Sequence, residues 1–129
     1  MAAENPKNCK YTKDHEWARK DGGKITVGIT AHAQEQLGDV VYVELPKLGA
    51  TVSAGGQFGV VESTKAVSDL YAPVSGKVTK VNDALSKEPA TINSDPYGQG
   101  WIIELEPTGS EYDALLDADA YTSLVSAAK

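Results

Sequence analysis

The chain falls into two loosely similar halves on either side of a central reversal, and this pattern restricts the fold more than any other feature. Gly38-Asp39-Val40, followed by Val43, Leu48 and Val52, resembles Gly76-Lys77-Val78, followed by Val81, Leu85 and Ile92. Each half has a Gly-x-Val strand, a second valine three residues on, a bend, a short strand and a later strand, Phe58–Glu62 or Trp101–Leu105. Two such half-units of short strands imply a small two-sheet sandwich or flattened barrel with pseudo-two-fold symmetry. The reversal between them is Glu62-Ser63-Thr64-Lys65-Ala66-Val67-Ser68-Asp69-Leu70. It is flanked by strand-like runs and has Lys65 at or beside its tip.

The remaining elements follow from local signals. Tyr11–Lys20 reads as a strand, Asp21-Gly22-Gly23 as a turn and Lys24–Ile29 as the returning strand. Thr30 is placed to cap a short helix over Ala31–Leu37, which Gly38 ends. Strands are expected over Asp39–Leu45, Gln57–Glu62, Asp69–Ala72, Gly76–Asn82 and Trp101–Leu105, with short ones near Leu48–Val52 and Pro89–Asn93. From Ser110 the apolar spacing turns helical (Tyr112, Leu115, Leu116, then Tyr121, Leu124, Val125), so C-terminal helices over 110–127 should pack outside the β body. Residues 1–10 are polar and irregular, a flexible segment ordered near its end. The 129 residues form a single domain, 1–129.

Composition narrows the function. A net charge of −6 and a pI near 4.8 argue against nucleic acid or an anionic membrane as partner. The single cysteine, Cys9, excludes an internal disulfide and points to a reducing compartment. No apolar run approaches a membrane span, and the first ten residues are no secretory signal. The two histidines, His15 and His32, lack further ligands at metal spacing, so no metal site is expected. No Gly-x-Ser-x-Gly elbow, phosphate loop or dinucleotide fingerprint is present. What remains is a small acidic β protein with one prominent amine, Lys65, and acids at Glu62 and Asp69. Such a chain is either a carrier whose lysine takes a prosthetic group or a passive binding module.

The segment Glu62–Gly76 resembles the lipoyl-lysine segment of the glycine cleavage system H-protein family. His15-Glu16-Trp17, Val27-Gly28-Ile29-Thr30, Ala33-Gln34, Leu37 through Pro46, Val81-Asn82, Ile92-Asn93-Ser94, Pro96-Tyr97 and Gly100-Trp101 fit that family in order and spacing. The resemblance runs from about Tyr11 to Tyr121. It implies a mainly β fold, a barrel-sandwich hybrid of two antiparallel sheets of the lipoyl-domain kind. A short helix would follow the first hairpin, and helices would close the chain.

The resemblance further implies that Lys65 carries lipoate in amide linkage and that the chain is a non-catalytic carrier. Its partners would be glycine decarboxylase, which loads the aminomethyl group of glycine, and aminomethyltransferase, which passes the one-carbon unit to tetrahydrofolate. Dihydrolipoamide dehydrogenase would then take the electrons. By motif, Glu16 and Asp69, with Asp14 beside them, would hold the loaded arm, and Glu62 would help lipoate-attaching enzymes place Lys65. The carrier would be a monomer, cytoplasmic in a bacterium, or in the mitochondrial matrix of a eukaryote after loss of a presequence. Two relatives in function stand beside this reading: an H-like lipoate donor, and a lipoyl domain of a 2-oxoacid dehydrogenase, which is normally shorter and linker-tethered. A biotin carrier is excluded, because Thr64 and Ala66 stand where that family places methionines.

Overall fold

A computed structural model describes residues 6–127. The chain runs β1 (Lys10–Tyr11), β2 (Glu16–Asp21), β3 (Lys24–Ile29), α1 (Ala31–Leu37), β4 (Val40–Glu44), β5 (Thr51–Val52), β6 (Gln57–Ser63) and β7 (Val67–Tyr71). It continues through β8 (Gly76–Val81), α2 (Ala84–Lys87), α3 (Thr91–Ser94), β9 (Ile103–Pro107), a 3₁₀ turn (Glu111–Ala114) and α4 (Ala118–Ala127). The strands form two antiparallel sheets, six strands in the order β1-β2-β3-β9-β8-β5 and three in the order β4-β6-β7.

The repeated half-units become equivalent strand pairs, one in each sheet. Val43 pairs with Val61 across β4–β6, and Val81 pairs with Ile103 across β8–β9. The register shifts between Val40 and Tyr42 in the first pair, and between Val78 and Lys80 in the second. A bulge at the same point of each repeat bends both pairs alike and adds twist, which lets the two sheets wrap one core. That core includes Ile25, Val27, Val43, Val61, Leu70, Val78, Ile103 and Leu105, all buried. Each such side chain contributes about 1.5–3 kcal/mol on leaving water.

A second, smaller cluster lies under α4, where Cys9, Tyr11, Trp17, Ala118 and Tyr121 are buried together. Trp17 sits directly over Gly28, its cross-strand partner: a Cβ at Gly28 would lie 2.7 Å from the indole ring. The glycine is therefore required by close approach. The Trp17 Nε1 donates to the Pro96 carbonyl at 2.9 Å.

The helix expected over Ala31–Leu37 forms with those limits, and the Thr30 hydroxyl accepts from the Ala33 N–H. Elsewhere the structure differs from local expectation. The single strand over Tyr11–Lys20 is broken between Tyr11 and Glu16, because His15 adopts φ 70° and turns the chain. Pro89–Asn93 is not a strand; Thr91–Ser94 is helical, as is Ala84–Lys87. Neither short helix has a side-chain N-cap, so tertiary burial of Leu85 and Ile92 sustains them. The last strand begins at Ile103 and not at Trp101. Of the segment 1–10, residues 1–5 lie outside the described residues. From Pro6 onward the chain is fastened: Cys9 is buried, and the Tyr11 hydroxyl donates to the Pro6 carbonyl.

Candidate functional site

The lysine hairpin is built by one serine. The Ser63 N–H donates to the Ala66 carbonyl at 2.8 Å and closes the turn. The Ser63 Oγ accepts from the N–H groups of Lys65 at 3.3 Å and Ala66 at 3.1 Å. A side-chain oxygen that takes two successive backbone donors fixes a tight turn without glycine. The tip is also tied sideways, since the Thr64 N–H donates to the Asp39 carbonyl at 3.0 Å.

Lys65 is exposed, and its stem lies along Gly38. Gly38 ends α1 at φ 82°, donating its N–H to the Gln34 carbonyl. A Cβ there would come within 3.4 Å of the lysine Cε. The residue thus serves both the helix end, where a left-handed conformation favours glycine, and the passage of the lysine stem.

A groove of about 280 Å³ opens beside the tip. Edge strand β7 forms one wall through Ser68, Asp69 and Leu70, and α1 forms the other through Ala33, Gln36 and Leu37. Ile29 and Val61 contribute apolar surface, and Asp14, His15 and Glu16 complete the lining. A second depression of about 460 Å³ shares Asp14 and Glu16 and continues past Tyr71 toward Leu115.

Glu16 is the unusual member. It is 2% exposed. The Thr12 hydroxyl donates to its Oε1 at 2.8 Å, and the Tyr71 N–H donates to its Oε2 at 3.3 Å. The Ala72 N–H points the other way, to Gly56 in the β6 direction, so Glu16 takes a backbone donor from the open edge of β7. Burial pushes its carboxyl up to about 7; the two hydrogen bonds pull against this, and the charge on Asp14 adds to it. Asp69 is exposed and accepts from Gln57 Nε2 at 3.2 Å and from the Tyr71 hydroxyl at 3.4 Å. Its charge raises the Tyr71 phenol above the usual range. Among the described residues the ion pair formed is Lys80–Glu104, on another face. The groove therefore holds three carboxylates with no basic side chain paired to them.

Behind the groove, one hydroxyl joins the turn that carries Asp14 and Glu16 to the cap of α1. The Tyr121 hydroxyl lies 2.7 Å from both His15 Nδ1 and Thr30 Oγ1. His15 stands between the two groove acids Asp14 and Glu16, and Thr30 caps α1. Burial and the nearby His32 lower the basicity of His15, which Asp14 partly restores.

The matching family model is that of the glycine cleavage H-protein, over residues 9–128. The chain is 62% identical over 126 residues to a glycine cleavage system H protein of Myxococcus xanthus, covering 97% of this chain and 98% of that one. It is 59% identical over 123 residues to one from Anaeromyxobacter sp., covering 95% and 96%. A crystal structure of a glycine cleavage system H protein from Mycobacterium marinum superposes with a TM-score of 0.87 at 48% identity, covering 95% of this chain and 99% of that chain.

The chain belongs to the glycine cleavage H-protein family.

Against that H-protein background, the structure gathers Asp14, Glu16 and Asp69 around one groove that begins beside Lys65. It does not bring Glu62 there. Glu62 lies on the outer face of the three-stranded sheet, between Tyr42 and Val67 in register. Sequence reasoning missed Thr12 and Tyr71, whose bonds to Glu16 cross a turn and two sheets, and it missed Tyr121 as more than an apolar helix residue. It also gave no role to Asn93. The Asn93 amide accepts from the Val40 N–H and donates to Gln34 and the Gly38 carbonyl, pinning the end of α1 to β4. Its place in the Ile92-Asn93-Ser94 motif, a polar residue next to an apolar one, was the available signal. Among the described residues no group of three metal-ligating side chains forms, and no helix is long and apolar enough to cross a membrane.

Proposed function

We propose that Lys65 carries lipoate in amide linkage and that the chain acts as the non-catalytic lipoyl carrier of glycine cleavage. In this role it moves an amine-bearing cargo from glycine decarboxylase to aminomethyltransferase, and then electrons to dihydrolipoamide dehydrogenase. The observation that carries the reading is the groove: it starts at the lysine tip, runs between apolar walls and ends at carboxylates that lack a cation. Bound lipoate supplies a dithiolane that can be reduced and can hold the cargo. The residues present fit such a group. Ile29, Leu37, Val61 and Leu70 suit a long apolar chain, and Asp14, Glu16 and Asp69 suit a cationic amine at its far end.

The chain's own residues then do three things. Ser63 and Asp39 hold the attachment point. The apolar walls exclude water from the docked arm. Glu16, buried and short of a partner charge, gives up its proton when an ammonium arrives and holds that ammonium by a charge-assisted bond. Outward-facing Asp69 completes the clasp. The relatives in Myxococcus xanthus and Anaeromyxobacter fit a bacterial carrier.

The test is the mass of the peptide containing Lys65 after incubation with lipoate, ATP and a lipoate ligase, followed by glycine/bicarbonate exchange with glycine decarboxylase. A lipoyl increment on Lys65 and support of exchange are expected. An unmodified Lys65, or a modified chain that does not support exchange, overturns the reading. The family match does not favour the 2-oxoacid dehydrogenase domain or the dedicated lipoate donor.

A further inference from the structure

Three elements meet at one buried phenol. Tyr121 projects from α4, and its ring stacks on Tyr11 of β1 with centroids 4.8 Å apart and planes at 12°. Its hydroxyl has two partners among the described residues, His15 Nδ1 and Thr30 Oγ1, each at 2.7 Å. Thr30 and Tyr121 are both fully buried, so protein groups must satisfy their hydroxyl protons. That requirement sets the direction of the bonds. The Thr30 oxygen already accepts from the Ala33 N–H at 3.1 Å, and the Thr30 proton has its acceptor in the Tyr121 oxygen. The Tyr121 proton is then directed at His15 Nδ1. An imidazole that accepts at Nδ1 is neutral and carries its proton on Nε2. A proton added at Nδ1 would turn Tyr121 round onto Thr30 and leave the Thr30 proton buried without an acceptor, which is costly.

We propose that Thr30 and Tyr121 are positioning residues that hold His15 uncharged between Asp14 and Glu16, which leaves the acids of the groove to a cationic cargo. The proposal rests on the reading of the groove as the seat of an amine-bearing arm. His15 is fixed at its backbone as well as its ring. It adopts φ 70°, its N–H donates to the Thr12 carbonyl at 3.1 Å, and its carbonyl accepts from the Thr30 N–H at 3.0 Å.

The groups that face His15 are Asp14 and Glu16 on its own turn, Asp69 of β7 across the groove, His32 of α1 and Tyr121 of α4. The acids by themselves would draw a proton onto the imidazole. A cationic His15 would pair with them and stand in place of the ammonium they are to receive. The relay from the α1 cap opposes that outcome, and burial and His32 act in the same direction. A hydroxyl 106 residues along the chain from His15 thus sets the charge of the turn that carries the acids.

The direct test is the pair of imidazole nitrogen NMR signals of His15 in the unmodified chain, which separate the two neutral tautomers from the cation, followed across pH. Wild type should show the Nε2–H form at neutral pH. Thr30→Asn keeps a capping oxygen, but one with no proton to give. The Tyr121 proton turns to it, and the Tyr121 oxygen accepts from His15 Nδ1. The signals should move to the Nδ1–H form, and His15 should become charged at a higher pH than in wild type. On the lipoylated, aminomethyl-loaded chain, Thr30→Asn should shorten the lifetime of the arm about fivefold near about pH 6.5, read as release of ammonia or formaldehyde. The two lifetimes should converge by about pH 8.5, where His15 is neutral in both. A merely structural defect would shorten the lifetime alike at both ends. Wild-type His15 that is charged or in the Nδ1–H form at neutral pH overturns the proposal, as does a loss in Thr30→Asn that is independent of pH. A wild-type chain that takes no lipoate on Lys65 is a different result: it removes the reading of the groove, while the imidazole signals still decide whether the relay holds His15 neutral.

Discussion

Strands β7 and β3 occupy equivalent places in the two halves. Each follows a bulged pair outward, β4-β6-β7 in one sheet and β8-β9-β3 in the other. Their second edges differ. That of β3 is covered by β2, with six residue pairs from Glu16–Ile29 to Asp21–Lys24, and the hairpin is sealed by Trp17 over Gly28. That of β7 is left open along the groove, and its Tyr71 N–H is met by a carboxylate from β2 in place of a strand. An open edge is a hazard in a small β protein. Here it lies beside Lys65, is short, and is guarded by Asp69 and Glu16. One architecture repeated twice is thus closed by a strand in one sheet and left open beside Lys65 in the other.

The contrast can be broken from either side. The largest effect is expected at the tip. Lys65→Arg should abolish lipoate attachment completely, read by mass, while leaving the thermal midpoint unchanged, because the side chain is exposed. Next is Glu16→Gln. The folded carboxyl titrates near 7 against an ordinary 4.5, so the folded state holds a proton that the unfolded chain has released. Wild-type stability therefore falls as pH rises from about 4.5 to 7, and the variant lacks that slope. The stability of wild type relative to variant should drop on the order of 3 kcal/mol across the window in denaturant titrations. The same substitution should shorten the lifetime of the loaded arm about tenfold, measured as release of ammonia or formaldehyde.

On the closed side, Gly28→Ala puts a methyl against the Trp17 ring and should cost about 1–3 kcal/mol, with loss of the near-ultraviolet tryptophan signal. The smallest effect is expected from Asp69→Asn on the open edge. Its stability change should stay within about 0.5 kcal/mol. The Tyr71 phenol should titrate lower once the neighbouring charge is gone, as followed by ultraviolet absorbance. If Gly28→Ala were tolerated as well as Asp69→Asn, the distinction between sealed and open edges would fail.

What was legible in the sequence depended on range. The cap at Thr30, the stop at Gly38 and the turn at Asp21-Gly22-Gly23 are local devices, and the helix and first hairpin they define are found in place. The repeat was legible as a pattern, but its bulges were not, since a bulge is set by the partner strand. The helical turns at Ala84–Lys87 and Thr91–Ser94 carry no cap and exist because Leu85 and Ile92 are drawn into the core. The His15 conformation is likewise imposed from afar, by its carbonyl accepting from the Thr30 N–H and its ring meeting Tyr121. At the site, the motif named the acids. Only the fold shows that Glu16 is buried while Asp14 and Asp69 face water, and this difference gives them different chemistry.

The bond from the Thr64 N–H to the Asp39 carbonyl has a kinetic meaning. It ties the hairpin tip to the residue ahead of β4, so a group attached to Lys65 would search space about that tie. The local concentration that such a tethered group presents to a docked active site is set by tether length alone, roughly millimolar for a short flexible link. A partner then has no need to hold the carrier tightly. Docking can be weak, dissociation fast, and one carrier can visit several active sites in turn.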